Sequence, residues 1–335
     1  MSSFMLLTAT DCVSLWTICF MLLLFLTESS KFGAVVSTFV LANFLILFHY
    51  FACPRVDPAV VHRFVNGIKL VAHRGGALDA PENTLAAIQT AADLGADAVE
   101  IDVAMTADGV AILMHDFTLD RTTDGTGIVE ERKWEYISSL NAAAKFEGSG
   151  WKQFGAEGVP KLNDAVYLAI RLGLKVFLDV KDGDDRVIGA ILKLFANDTS
   201  LYSEVSVCSF YHQITYQVKR SDPNVIIGHT FRPHFFAYEE AEAINQRYES
   251  LPKHLAASAL DLVNVHLVNH WLWKFTGASL ILPIERHVSK QYVMDLHANE
   301  LYPFPWTLNQ VEEKLYFMHA LNIAPMTDIM SDLKQ

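Results

Sequence analysis

The 335-residue chain is 51% hydrophobic and carries a formal net charge of −12. That length accommodates one domain of roughly 250 residues plus extra segments, and the acidic balance excludes a nucleic-acid partner, which requires a basic surface. It also argues against electrostatic attachment to an anionic membrane, so membrane contact must come from apolar sequence.

The first 54 residues supply such sequence. Residues 4–26 form an apolar run interrupted by Asp11, and residues 32–53 form a second in which His49 is the one side chain ionisable near neutral pH. Each is close to the ~20 residues that cross a bilayer, and the short linker between them suits a helical hairpin. Two transmembrane helices are therefore expected, with one span behind an interfacial or cleaved signal segment as the alternative. Neither a basic start nor a small-residue cleavage site is evident, so the first run is expected to stay. Lys31 precedes the second run and Arg55, Arg63 and Lys69 follow it, a balance that favours a cytosolic domain under the positive-inside rule. Cys12, Cys19 and Cys53 fall in or beside these runs and Cys208 in a predicted strand, so no disulfide framework is expected.

The densest chemistry follows Lys69. Ile68 to Ala72 reads as a strand delivering His73-Arg74-Gly75-Gly76, whose glycines permit a tight turn with exposed N–H groups. In Pro81-Glu82-Asn83-Thr84, Asn83 or Thr84 can cap the next helix, which Gly95 stops. On the strand 98–103, Glu100 and Asp102 are two residues apart and share a face; adjacent carboxylates repel unless a cation sits between them. Thr106-Ala107-Asp108-Gly109 predicts a hairpin turn that returns the chain through 111–114 to His115-Asp116. The strand 175–180 repeats the two-residue interval with Asp179 and Lys181. Glu100, Asp102 and Asp179, with no cysteine nearby, make a hard oxygen site suited to Mg²⁺ or Ca²⁺ rather than zinc. Arg74 and Lys181 can hold phosphate oxygens. A solitary His-Arg-Gly-Gly is ordinarily a loop, and a solitary Glu-x-Asp a solvated strand edge. Together and in this order they read as a site for phosphate chemistry.

Strand-like and helix-like runs alternate from there to the C-terminus, the pattern of βα units around a parallel sheet. Eight strands are expected at 69–72, 98–103, 175–180, 205–209, 225–228, 279–284, 302–307 and 323–326. The fold class is thus α/β, a TIM (β/α)8 barrel over residues 68–330 behind a membrane segment at 1–54, with the site residues at the C-terminal strand ends. Two insertions are expected, at 116–162 over the mouth and at 233–277. The second, with Trp271 and Trp273 beside Lys274, reads as a helix packed on the barrel, an interfacial helix or a third span. Trp306 is a candidate lining residue of the substrate site, Phe210 a packing residue, and His229, which closes a strand, either faces the site or is a hydrogen-bonded structural histidine.

The series HRG, PENT, E-x-D, HD and acid-x-Lys resembles the glycerophosphodiester phosphodiesterase family from about Lys69 to Asp328. Val207-Cys208-Ser209-Phe210, Pro305-Trp306-Thr307-Leu308-Asn309 and Met326-Thr327-Asp328 fit the same pattern. Ala80 to Ala87 and Arg121 to Gly127 are similar to membrane-anchored animal members that act on glycerophosphoinositol, whereas Asp179 stands where many members have glutamate. The resemblance implies hydrolysis of glycerophosphodiesters to sn-glycerol 3-phosphate and an alcohol. In that reaction Glu100, Asp102 and Asp179 would hold Mg²⁺, or Ca²⁺, and His73 and His115 would work as an acid/base pair. It also points to a luminal or extracellular domain on an endomembrane or plasma membrane, with which the glycosylation triplet Asn197-Asp198-Thr199 agrees. One rival expectation is a lysophospholipase D for lyso-N-acylethanolamine phospholipids, with the segment near Trp271 guiding the acyl chain. Another is a catalytically inactive membrane adaptor, which would have no use for the retained acids, bases and cations.

Overall fold

The computed structural model describes residues 9–27, 30–148, 153–181 and 183–334. Its strands are β1 (Val71–Ala72), β2 (Ala98–Met105), β3 (Ala111–Leu113), β4 (Lys175–Val180), β5 (Val205–Ser209), β6 (Ile226–Phe231), β7 (Leu280–Pro283), β8 (Tyr302–Pro303) and β9 (Met326–Thr327). They run in the order β8-β7-β6-β5-β4-β2-β1-β9, all parallel except β3, which pairs antiparallel with β2. Beyond β8 the chain meets β9: Met326 N–H donates to Pro305 O at 2.8 Å and Leu308 N–H to Met326 O at 2.9 Å. The result is a TIM-barrel-like α/β fold built on a curled parallel sheet. The strands expected at 175–180 and 205–209 match β4 and β5. β6 runs on past Gly228 to Phe231, with every residue buried. The strand expected at 323–326 shrinks to β9, because Asn322 is left-handed at φ 54° and Pro325 has no N–H for a ladder.

Side-chain alternation sorts the strands into two layers. Val99, Ile101, Val103, Val176, Leu178 and Val180 pack outward under the helices. The inward column of β2 reads Ala98, Glu100, Asp102, and that of β4 continues from Phe177 through Asp179 toward Lys181. Apolar residues therefore fill the N-terminal end of the sheet and charges its C-terminal end. Helix Pro58–Val65, capped by Asp57 accepting the Ala59 N–H at 2.8 Å, closes the apolar end with Phe64. That ring meets Phe177 at 5.2 Å, and Phe177 meets Phe304 at 4.7 Å. Truncating a buried phenylalanine of this kind to alanine costs about 3–5 kcal/mol.

Helices Ala9–Thr27 and Ser30–Phe51 lie side by side, with Trp16 Nε1 donating to Thr38 Oγ1 at 3.1 Å. Among the described residues, Lys31–Phe51 is the one helix long and apolar enough to cross a membrane. Residues 4–8 of the first predicted run, 28–29 of the linker and 149–152 of the first insertion lie outside the described residues. The second helix meets the barrel at its N-terminal end: Cys53 N–H donates to Phe275 O at 2.8 Å, just before β7, and Arg55 to Asn299 O at 3.0 Å, just before β8. The first insertion folds around Leu119, Val129, Ile137 and Leu140 against Ile112 and Met114 of the hairpin. In the second, helix Leu251–His270 packs on the barrel through His254, Ala257, Asp261 and Val268, leaving Leu255, Leu262 and Val263 exposed.

Candidate active site

β1 ends at Ala72, and the chain turns at once through His73–Gly75. Arg74, Gly75 and Gly76 have φ of 53°, 80° and 92°, three left-handed residues in succession. A Cβ on Gly75 would fall 2.7 Å from the Ala87 Cβ, and one on Gly76 2.8 Å from Met330 Cε. The turn places Arg74 N–H 2.9 Å from Glu100 Oε2 and His73 Nε2 3.8 Å from the same oxygen. His73 Nδ1 lies 2.7 Å from Asp328 Oδ1, just past β9. Asp328 is itself held twice by Asn309, whose Nδ2 donates to Oδ2 at 2.9 Å and whose Oδ1 accepts the Asp328 N–H at 2.9 Å. Burial opposes the imidazolium form of His73, but the Asp328 and Glu100 carboxylates outweigh it and raise its pKa.

His115 has a parallel arrangement, with Nδ1 2.6 Å from Asp116 Oδ1. There burial prevails over the Asp102 and Asp116 carboxylates, and the pKa is lowered. Arg121 grips Asp116 through Nε at 2.6 Å and Glu82 through two bonds of 2.8 Å. Glu82 also accepts from Arg74 Nη1 at 3.2 Å. A hydrogen bond from His115 to Asp116, followed by ion pairs through Arg121 and Glu82, thus connects His115 to Arg74.

The carboxylates sit beneath this run. Ladder register pairs Asp102 with Asp179, and Glu100, Asp102 and Asp179 each offer an oxygen within 4.8 Å of the others. Asp102 Oδ1 accepts from Lys181 Nζ at 2.6 Å, and its Oδ2 from Asn83 Nδ2 at 2.8 Å. Asn83 returns the contact by accepting the Asp102 N–H at 3.0 Å. Asp179 lies 3.7 Å from Lys181 Nζ through Oδ2, while its Oδ1 is buried with no hydrogen-bond partner. Burial, then the Asp102 charge, pushes Glu100 up to about 8, and burial pushes Asp179 up to about 6. Burial acts in the same sense on Asp102, but Lys181, His115 and Arg74 hold it well below the usual carboxylate range. Two acids driven toward their neutral forms beside one that stays ionised mark a cluster short of positive charge. A cavity of about 450 Å³ opens over His73, Arg74, Glu82, Arg121 and Asp328, with Thr122, Lys145 and Phe146 of the first insertion in its lining.

The profile of the glycerophosphoryl diester phosphodiesterase family matches residues 73–332. The chain belongs to that family. It is 35% identical over 310 residues to glycerophosphodiester phosphodiesterase 1 of Bos taurus and 34% identical to that of Homo sapiens, with 92% of each chain covered. Among solved structures, a phosphodiesterase of Oleispira antarctica in complex with the product sn-glycerol-3-phosphate superposes with a TM-score of 0.60 at 20% identity. That match covers 82% of this chain and 97% of the other. The family and the relatives at this identity make the protein an enzyme, a phosphoric diester hydrolase of the glycerophosphodiester phosphodiesterase class.

Seven of the residues singled out in the sequence of this phosphodiesterase form one network: His73, Arg74, Glu100, Asp102, His115, Asp179 and Lys181. Trp306 stands apart, packing on Phe210 at 5.4 Å with its indole N–H given to Leu282 O at 2.9 Å, while its neighbour Thr307 lines the cavity. His229 is buried on the outer side of β6, 2.8 Å from Thr276 Oγ1, as a structural histidine. Asp328, Asn309, Asn83, Glu82 and Arg121 were not among the site residues expected from the sequence. Asp328 follows a barrel strand, a position where catalytic groups gather, so that signal was available. Arg121 lay inside the predicted insertion and gave none.

Proposed function

We propose that this enzyme is a membrane-anchored hydrolase, dependent on Mg²⁺ or alternatively Ca²⁺, that converts glycerophosphodiesters such as glycerophosphoinositol to sn-glycerol 3-phosphate and an alcohol. One observation carries the reading: a buried acidic triad, with Asp179 Oδ1 unpartnered, stands beside two histidines that each have Nδ1 against a carboxylate. Three oxygen donors without sulfur fit a hard divalent cation held by Glu100, Asp102 and Asp179. Such an ion, when bound, offsets charge on a phosphoryl oxygen. Arg74 and Lys181 orient the remaining phosphate oxygens. Because Asp328 and Asp116 occupy the Nδ1 atoms, Nε2 is the proton-handling atom of His73 and of His115. One takes a proton from the attacking water, or from the glycerol 2-hydroxyl in a route whose cyclic phosphate a water then opens to sn-glycerol 3-phosphate, and the other gives one to the leaving oxygen.

Residues 1–54 anchor the catalytic domain, residues 68–330, in an endomembrane or the plasma membrane, with that domain on the luminal or extracellular side. Support comes from the apolar helix Lys31–Phe51, which leaves Phe39 and Ile46 exposed, and from the exposed Asn197 of the glycosylation triplet. The lysophospholipid alternative required an acyl guide near Trp271. That segment precedes β7, at the opposite end of the sheet from the carboxylates, and lends it no support. The test is glycerol 3-phosphate release from glycerophosphoinositol by the full-length protein in detergent, with Mg²⁺, Ca²⁺ or chelator, beside His73→Ala and Glu100→Ala. Metal-dependent release lost in both variants supports the reading; release indifferent to chelator would sink it.

A further inference from the structure

A second cavity, of about 710 Å³, lies where the N-terminal helices meet the barrel. Leu15, Phe48 and Phe51 line it from those helices, and Leu267, Trp271 and Phe275 from the segment leading into β7. Its size falls within the roughly 300–1,000 Å³ of ligand sites. The groove is open on one side and lined almost wholly by apolar side chains, with His266 at its edge, and the Tyr216 hydroxyl is already given to Phe51 O at 2.9 Å. This space sits at the N-terminal end of the strands, remote from the catalytic carboxylates.

Its surroundings specify the occupant. The lining from Phe44 to Phe51 belongs to the last two turns of the apolar helix Lys31–Phe51, about 12 Å of its length. At the same end, Lys274 Nζ lies 5.5 Å from the ring centre of the half-buried Trp271, while Trp273 is buried beneath Lys274 and Arg55. Tryptophan with lysine or arginine is the chemistry of a membrane–water interface. We propose that the cavity is a slot for one acyl chain of a bilayer phospholipid, taken from the leaflet beside the catalytic domain. The chain fills the gap between helix and barrel and fixes the domain against the membrane. This inference rests on the reading of the N-terminal helices as membrane-embedded.

The test reconstitutes the full-length protein in bilayer nanodiscs containing phosphatidylcholine with a photoreactive diazirine in its acyl chain, then maps adducts by peptide mass spectrometry. Adducts are expected on Leu267, Leu272 or Phe275 of the barrel side as well as on the outward Phe39. Leu267→Trp, a change at an exposed helix position that fills the slot, should remove the barrel-side adducts and leave turnover of a soluble glycerophosphodiester unchanged. Labelling of Phe39 with none at 266–275 overturns the slot while leaving the membrane reading intact. A chain that alkaline carbonate strips from vesicles overturns both. Barrel-side labelling that persists undiminished in a folded, active Leu267→Trp variant also overturns it.

Discussion

Asp328→Asn tests how far the acid/base role proposed for His73 depends on its carboxylate. In the native site Asp328 Oδ1 lies 2.7 Å from His73 Nδ1, and Oδ2 accepts from Asn309 Nδ2 at 2.9 Å. Asparagine has one oxygen for these two contacts. If its oxygen faces His73, its amino group meets the Asn309 amino group, donor against donor. If it turns over, the amino group faces Nδ1 and imposes the tautomer that puts the proton on Nε2, where the chemistry needs a free choice. Both orientations also remove the carboxylate charge that favours the His73 imidazolium, so the general acid/base function proposed for it, worth about 10²–10⁴-fold in rate, is lost, which corresponds to about 2.7–5.5 kcal/mol in the barrier. The stability cost is smaller, about 1.5–3 kcal/mol for a hydrogen bond to a charged group. Steady-state kinetics on glycerophosphoinositol should therefore show kcat down by about 10²–10⁴-fold with KM little changed, in a protein that still melts cooperatively. A kcat close to wild type in such a folded variant would refute the assignment of Asp328 as the group positioning His73.

Gly75→Ala should destabilise the protein by about 1–3 kcal/mol, since a Cβ at φ 80° would lie 2.7 Å from that of Ala87; an unchanged melting temperature would show that the turn relaxes freely. His229 and His212 pack ring to ring at 4.7 Å. Burial holds His229 well below the usual histidine range and His212 down to about 4. Both are neutral when folded but protonate near pH 6.5 when unfolded. Stability is therefore full above about 6.5 and falls, by up to about 1.4 kcal/mol per pH unit for each histidine, as pH drops toward 4. Denaturant titrations at several pH values should show that slope reduced in His229→Gln, and an unaltered slope would contradict it. Arg121→Gln cuts the link between Asp116 and Glu82; kcat should fall while Glu100, Asp102 and Asp179 keep their metal affinity, and a matching loss of affinity would place Arg121 in a different role.

The grouping of the candidate site residues was legible because they are close in sequence and periodic. Glu100 with Asp102, and Asp179 with Lys181, share a face through the two-residue repeat of a strand, and β2 and β4 are neighbours in register. Strands such as β4 were read to the residue, since a buried strand flanked by polar loops has sharp ends. β9 was not, because its short ladder is decided by the backbone of Asn322 and Pro325 rather than by hydrophobicity. Trp306 was offered as a lining residue, but an aromatic at a strand end says nothing about which way the ring turns, and here it turns to Phe210. Asp328 was marked by its place after a barrel strand, but the contacts of Asp328 with His73 and of Asn309 with Asp328 span 255 and 19 residues of chain respectively, distances over which no spacing pattern carries information. Nor does periodicity distinguish a helix that crosses a bilayer from one that packs beside it, which left Leu251–His270 open until its buried face was seen.

Glu100, Asp102 and Asp179 are proposed together to hold one divalent cation beside the two histidines. Titration of the full-length protein with Mn²⁺, a paramagnetic stand-in for Mg²⁺ at oxygen sites, followed by electron paramagnetic resonance, tests it without relying on turnover. A single site per chain is expected, one that Mg²⁺ competes for and that Asp179→Asn or Glu100→Gln abolishes. Binding that survives both substitutions, or no binding to the folded wild-type protein, would contradict it.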